Sequence, residues 1–426
     1  MIHAPHFPLS KKDFAHAMTT GHGRIRQHVE RYGVRGHEEA IRDAVFHCRV
    51  FDTQIEGFRG AWLAPLCQAI GMEQEVFDWV PEDEELIRQR AAIVSHFQGF
   101  DRDQLWEAIL PYAGRAKHHS GLICVSSGMK ANARTALLHF AQLEGEWIQQ
   151  KDDPWIGDHL LWAYEQSEGE RESAWAILRE AAVADTKIQS FLHQLEKEER
   201  KPKVVSRTKP AVASVDSVRT FILEGPGSPR RFRFWGWRAN EIQQQQLQES
   251  LPSELEEEQL ERWLAICERK GFPIFRAEYL DLAMHPSMAI QESAIICLAH
   301  EEAVELRSLG LNKMESGAWS QAIQLLRKNG LAEDADRFIR SAPKLEVDFQ
   351  AHWLCMRMKG AMEENPAFHD IRIAIYCYEY NPCMHCREGI VELMQEWETL
   401  PDWIAEECRF DAEEDVRKLV ATGNSS

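Results

Sequence analysis

The sequence predicts an all-α protein, a solenoid of stacked helix pairs with a small β-hairpin inserted in the middle. Three observations carry this. First, a short pattern returns in one register: an apolar residue, Arg, two residues, a small or apolar residue, three residues, an apolar residue. Cys386-Arg387-Glu388-Gly389-Ile390 with Met394 is one copy, and Ile290-Gln291-Glu292-Ser293-Ala294 with Leu298 is a second. Glu170-Arg171-Glu172-Ser173-Ala174 with Leu178 is a third, and Arg59 and Arg134 head two weaker copies. Second, apolar residues recur at helical spacing through most of the remaining chain. Third, one segment, 197–238, abandons that spacing. A helical unit that repeats cannot cover its own apolar face, so its copies must stack.

The elements follow in order. Residues 38–70 read as two helices separated near Asp52-Thr53 and Glu56-Gly57. Pro81 and the acidic cluster Glu82–Glu85 open a helix that runs to Ser95, because acidic side chains favour a helix N-terminus. Asp101–Leu110, Lys130–Trp147 and Asp158–Leu195 complete an N-terminal helical-repeat segment, 1–196. Residues 197–238 hold eleven basic and four acidic side chains, a net +7 in a chain of −19. Pro202 and Pro210 mark a linker at the start of this segment. Val218–Leu223, the Gly225–Pro229 turn and Arg231-Phe232-Arg233-Phe234 read as a β-hairpin of period two. A C-terminal helical segment, 239–426, resumes with Leu255–Lys270, stopped by Gly271 and Pro273. Ala277–Met284, Ala289–Arg307, Trp319–Lys328, Ala332–Arg340, Phe349–Met362, Ile371–Tyr380 and Arg387–Trp397 follow.

Set in register, Tyr164, Met284 and Tyr380 lie eight residues before Glu172, Glu292 and Glu388. Pro286 and Pro382 fill the same turn. Positions four apart, such as Ile290, Ala294 and Leu298, form one buried stripe. A small residue within it lets the paired helix approach. On these residues, His285 to Leu298 and Asn381 to Met394 resemble HEAT-type repeats. The resemblance implies a HEAT-like α-solenoid in which Arg59, Arg134, Arg171 and Arg387 brace neighbouring repeats, with Gln291 departing. It also implies protein–protein scaffolding as the usual role, with nucleic acid bound by some members.

Composition bounds the function. With 44 % apolar residues the chain can build a real core. A net charge of −19 disfavours duplex binding by the surface as a whole. Ten scattered cysteines suit a reducing compartment. The first residues lack the pattern of a signal peptide, and no apolar run reaches the roughly 18–20 residues of a membrane span. A cytoplasmic location and no membrane partner are expected.

Candidate chemistry is sparse. Cys377, Cys383, His385 and Cys386 offer soft ligands for zinc, yet a second Cys-x-x-Cys is missing and two of the thiols fall on the repeat's turn and stripe. They read as core or turn thiols first and as a metal or redox site second. His37-Glu38 and His300-Glu301 read as ordinary solvated pairs. Gly21-His22-Gly23 reads as a helix boundary rather than an anion cradle, and Lys117-His118-His119 as a polar loop. Ser126-Ser127-Gly128 lacks the frame of a nucleophile elbow. No complete catalytic constellation and no cofactor are expected. The most plausible working surface is the hairpin. Arg231, Phe232, Arg233, Phe234, Trp235 and Trp237 interleave charge with aromatic rings. The expected function is a non-enzymatic scaffold or adaptor holding a partner protein. Two alternatives stand beside it: a nucleic-acid-associated component of a repair or defence complex, and a zinc or redox protein at Cys383 and Cys386.

Overall fold

A computed structural model describes residues 4–53, 58–113, 121–150, 158–168, 170–200, 213–225 and 230–422. Among these residues there are twenty-five α-helices, one 3-10 turn at Pro366–Phe368 and no strand, so the protein is all-α. They fall into two compact units. Residues 4–200, 383–388 and 401–422 form one, here the N-terminal unit. Residues 213–382 and 389–400 form the other, the central unit.

The N-terminal unit begins with α1 (Lys11–Thr20), α2 (Arg24–Tyr32), α3 (Glu38–Phe46), α4 (Gly60–Ala69), α5 (Glu73–Asp78) and α6 (Glu84–Val94). It continues with α7 (Arg102–Ala113), α8 (Gly121–Gln149), α9 (His159–Glu168), α10 (Arg171–Ala182) and α11 (Thr186–Arg200). The acidic start at Glu84 works as read. Asp83 caps α6 by accepting the Glu85 N–H at 2.9 Å and the Leu86 N–H at 3.3 Å. The long α8 is broken at Asn132, whose backbone leaves the helical region (φ −153°, ψ 91°). The Asn132 carboxamide then accepts the Thr135 N–H and caps the second half. Asp158–Leu195, expected as one stretch, is divided at 170 and 183–185 into α9, α10 and the start of α11.

The central unit runs α12 (Val215–Glu224), α13 (Arg230–Arg238), α14 (Glu241–Ser250), α15 (Glu257–Cys267), α16 (Tyr279–Leu282), α17 (Met288–Leu298) and α18 (Val304–Glu315). After these come α19 (Trp319–Asn329), α20 (Ala332–Ser341), α21 (Phe349–Glu364), α22 (Ile371–Tyr380) and α23 (Met384–Glu396), whose first turn belongs to the N-terminal unit. The helices pack on near neighbours in sequence: α15 on α17, α17 on α19, α18 on α19, α19 on α21, α21 on α22. Ala289–Arg307, expected as one helix, breaks at 299–303. There Asn329 accepts the Ala303 N–H at 2.8 Å and donates to the Glu301 carbonyl at 2.9 Å, supplying partners to the freed backbone. Two short helices, α24 (Asp402–Cys408) and α25 (Glu414–Thr422), finish the chain in the N-terminal unit.

The expected β-hairpin is absent; its two strands are helices α12 and α13. Ser214 caps α12 by accepting the Ser217 N–H at 3.2 Å. Val218, Phe221 and Ile222, three and four apart, are buried together. In α13, Trp235 and Ala239 point inward while Phe234 and Trp237 point outward, a period near 3.6 rather than two. Burial on α15 outweighs the β preference of branched and aromatic residues, which is weak and set by context. The approach is close: a Cβ at Gly236 would lie 2.0 Å from the Ile266 carbonyl oxygen. Lys270 donates to the Ala239 carbonyl at 2.9 Å, placing a cation at the negative end of α13.

The stripes read from the repeats are buried. Ile290, Ala294 and Leu298 are inaccessible, as are Ala174 and Leu178 and likewise Ile390 and Met394. The residues set eight positions earlier do not share one environment: Tyr164 is buried, Tyr380 half-buried and Met284 exposed. The arginines at the repeat position all find partners within their unit. Arg59 donates to the carbonyls of Met18 and Thr19, and Arg387 to that of Thr20. Two of them thus converge on the C-terminal carbonyls of α1. Arg171 pairs with Asp158 at 2.8 Å and Arg134 with Glu180 at 3.1 Å. At Gln291 the charge is missing, and its side-chain carbonyl accepts from Gln321 instead.

Candidate functional site

Helix α13 holds the six residues picked out by sequence, and the structure divides them. Trp235 is 4 % exposed and its indole N–H donates to the Ala213 carbonyl at 2.8 Å, so it anchors the helix. Phe232 is half-buried against Phe221, ring centres 4.4 Å apart. Trp235 is therefore enclosed by the fold, whereas Phe232 keeps part of its ring in solvent. Phe234 and Trp237 are 57 % and 60 % exposed, three residues apart on the outer face, and Arg238 is exposed beside them. The side chains of Arg231 and Arg233 lie outside the described residues. The helix is arginine-rich all the same: four of its nine residues are Arg and none is acidic.

Two other exposed apolar pairs belong to the central unit, of which only the second lies on one helix. Met284 and Met288 flank the turn before α17, and Phe349 and Trp353 lie four apart at the start of α21. Single exposed apolar residues are ordinary, whereas pairs on one helical face are how a helix prepares to meet another.

The cysteine candidates part company. Cys377 belongs to the central unit, where it is fully buried and its thiol faces the Cys355 carbonyl at 3.9 Å. Burial, with the Cys355 thiol next to it, pushes its ionisation well above the usual thiol range, so it is a protonated core thiol. Cys383, His385 and Cys386 belong to the N-terminal unit. The Cys386 N–H donates to the Cys383 sulfur at 3.4 Å, which makes Cys383 a cap on the first turn of α23. His385 is exposed beside Glu388 at 3.6 Å.

The remaining sequence candidates resolve as follows. Gly21-His22-Gly23 is a helix boundary between α1 and α2, as read. No room for an anion exists at Gly23: a Cβ there would lie 2.0 Å from the Glu407 carbonyl oxygen. His37 and His300 are half-buried rather than fully solvated. His37 stacks on Phe14 with ring centres 4.3 Å apart, and His300 bonds the Glu268 carbonyl at 3.1 Å. Burial lowers the ionisation of both below the ordinary imidazole value. Lys117-His118-His119 lies outside the described residues.

Sequence reasoning missed a cleft in the N-terminal unit. It has a volume of about 290 Å³ and is lined by residues from the start of α4, the end of α6, the first half of α8 and the start of α25. His96 sits in it with the Lys130 ammonium 3.3 Å from Nε2. Burial, helped by that ammonium, pushes the His96 imidazole down to about 4. Ser126 and Ser127, dismissed above as a nucleophile elbow, line the same wall on a helix. No local motif announces the cleft, because its walls lie far apart in sequence.

No protein-family model matches the chain, and no curated protein or solved structure matches it either.

Proposed function

We propose that this protein is a non-enzymatic scaffold or adaptor whose central unit holds a partner protein on the outer face of α13. The observation that carries the reading is the split within one helix. Trp235 fastens α13 to its neighbours, which leaves Phe234 and Trp237 in solvent on a rigid support. Aromatic and arginine side chains on a fixed helix are the residue types that dominate protein interfaces. The occupant is an acidic amphipathic segment of a partner. Its apolar stripe covers Phe234 and Trp237, and its carboxylates meet a helix with four arginines and no acid. The helix pairs that present this face are read as HEAT-like repeats, which work by offering long surfaces to partners. A cytoplasmic setting fits the reading, since no described helix is long and apolar enough to cross a membrane.

A photo-crosslinking residue at position 237 tests the proposal in cells that make the protein. The expected product is a nuclease-resistant crosslink to an acidic amphipathic stretch of another protein. It disappears with Phe234→Ser and weakens with Arg238→Glu. Crosslinks that reach only nucleic acid would favour the repair or defence reading. Crosslinks that reach only a second copy of the chain, or none at all, would also overturn the proposal.

A further inference from the structure

Four helices of the central unit bring charge together at one place. Glu292 on α17 accepts the Gln321 carboxamide of α19 at 2.6 Å and pairs with Arg357 of α21 at 3.2 Å. Lys313, in the last turn of α18, lies close enough to Glu292 to feel its charge. One carboxylate therefore faces two cations, and it satisfies neither completely. The Arg357 side chain is 17 % exposed, and its Nη1 is buried without a hydrogen-bond partner. Lys313 is 7 % exposed, and its ammonium makes no hydrogen bond and no ion pair among the described residues. Burial lowers its ionisation from the usual lysine value, and Glu292 restores only part of the loss. Glu315, the next acid along α18, is taken by Arg337.

A cation held out of water without a partner costs stability, so its place here needs a reason beyond the fold's own packing. Apolar side chains border the cluster. Met288 lies one turn before Glu292 on α17, and Trp353 lies one turn before Arg357 on α21. Each therefore shares a helix face with its charged neighbour. Phe349 is one turn further along the same face of α21. All three are exposed. Because Glu292 and Arg357 touch, Met288 and Trp353 flank one charged floor from two different helices.

We infer that this face docks a segment of a partner protein that carries an aspartate or glutamate beside an apolar side chain. The incoming carboxylate meets Lys313 and Arg357 and brings the cluster to two cations and two carboxylates. Both oxygens of Glu292 are already engaged, Oε1 by Gln321 and Oε2 by Arg357, so the new anion adds to that pair and does not replace it. The apolar residue of the segment covers Trp353 and Met288. Charge gives such a contact its selectivity, and an aromatic anchor beside an arginine gives it strength. A basic segment would be repelled by the surplus cation. The face is built from α17, α18, α19 and α21, so it is a second contact beyond the one proposed on α13 and does not rest on it.

A display library of random peptides, selected on the full chain carrying Trp237→Ser, tests the face without interference from α13. The selected peptides should share an acidic residue close to an aromatic or leucine residue. A synthetic copy of the best binder should lose about tenfold or more in affinity when its acid is exchanged for the amide, and again when the chain carries Lys313→Met. Trp353→Ser should weaken it as well. Stability of the free chain is the second readout. Lys313→Met removes a buried charge that nothing pairs, so the urea midpoint should rise while peptide binding falls. A lowered midpoint would show that Lys313 braces Glu292 inside the fold, and would overturn the inference. So would a library that yields no acidic binder, or a binder indifferent to both Lys313→Met and Trp353→Ser. These outcomes leave the α13 proposal where it stands, because its face is disabled throughout the selection.

Discussion

Arg387 and Asp411 form a two-pronged ion pair, with Nη2 at 3.0 Å from each carboxylate oxygen and both side chains at 0 % exposure. Arg387 also donates to the Thr20 carbonyl at 2.9 Å, and Arg24 pairs with the buried Glu407 at 2.8 Å nearby. Trp62 donates to Phe410 and Ala412 to Gly21, so the loop between α24 and α25 is tied to α1 and α4 at several points. Buried pairs are seldom large net stabilisers, but half of one is costly. Asp411→Ala, which strands the Arg387 charge, should destabilise the N-terminal unit by about 3–5 kcal/mol. The double change Arg387→Met with Asp411→Leu should cost much less. Urea midpoints of the three proteins check this; equal losses in the single and double variants would place the effect in packing instead.

How far the sequence carried this fold depends on distance along the chain. Asp83 with its acidic neighbours, and the stripe Ile290, Ala294 and Leu298, are local signals, and each appears where expected. Arg387 and Arg59 were legible as braces, but the carbonyls of α1 that they reach were not. The hairpin failed because Arg231–Phe234 is too short to separate period two from period 3.6. The decisive fact there is a tertiary contact on Ile266. Arg90 gave no signal at all: it is buried and donates to the Val76 and Ala108 carbonyls, a role fixed only when α5, α6 and α7 have packed. The cleft was invisible for the same reason, since 60, 96, 127 and 417 meet only in three dimensions.

The two tryptophans of α13 should behave oppositely. Trp235→Ala opens a cavity under the helix and removes the bond to Ala213, so it should cost about 3–5 kcal/mol. Trp237→Ala should change stability by about 0.5 kcal/mol or less, because its ring is already in water. Denaturant unfolding followed by circular dichroism separates them. A large loss on Trp237→Ala would mean that its ring is part of the core and would remove the main support for the α13 proposal.

Ala294→Glu tests the repeat register. The side chain is inaccessible in the middle of the α17 stripe, so a glutamate there must be buried unpaired or push α17 outward. A loss of about 3 kcal/mol or more is expected. Ala289→Glu, on the exposed side of the same helix, should be near neutral. Similar melting points for the two variants would show that the stripe is misassigned.

Acid should loosen the N-terminal unit before the carboxylates titrate, and His96 should carry part of the effect. Its folded ionisation is pushed down to about 4, against an ordinary value of about 6.5. Between those values the unfolded chain binds a proton that the folded chain refuses, so stability falls as pH falls. The contribution is complete above pH 6.5 and is lost progressively toward pH 4. His28 and His139, also lowered by burial, act in the same direction within the unit. His96→Gln keeps a polar side chain next to Lys130 but cannot take up the proton in either state. Its urea midpoint should therefore drop less than wild type between pH 7.5 and pH 5. An identical drop in both proteins would show that His96 is protonated as readily in the fold as outside it, which would contradict the burial that sets its pKa.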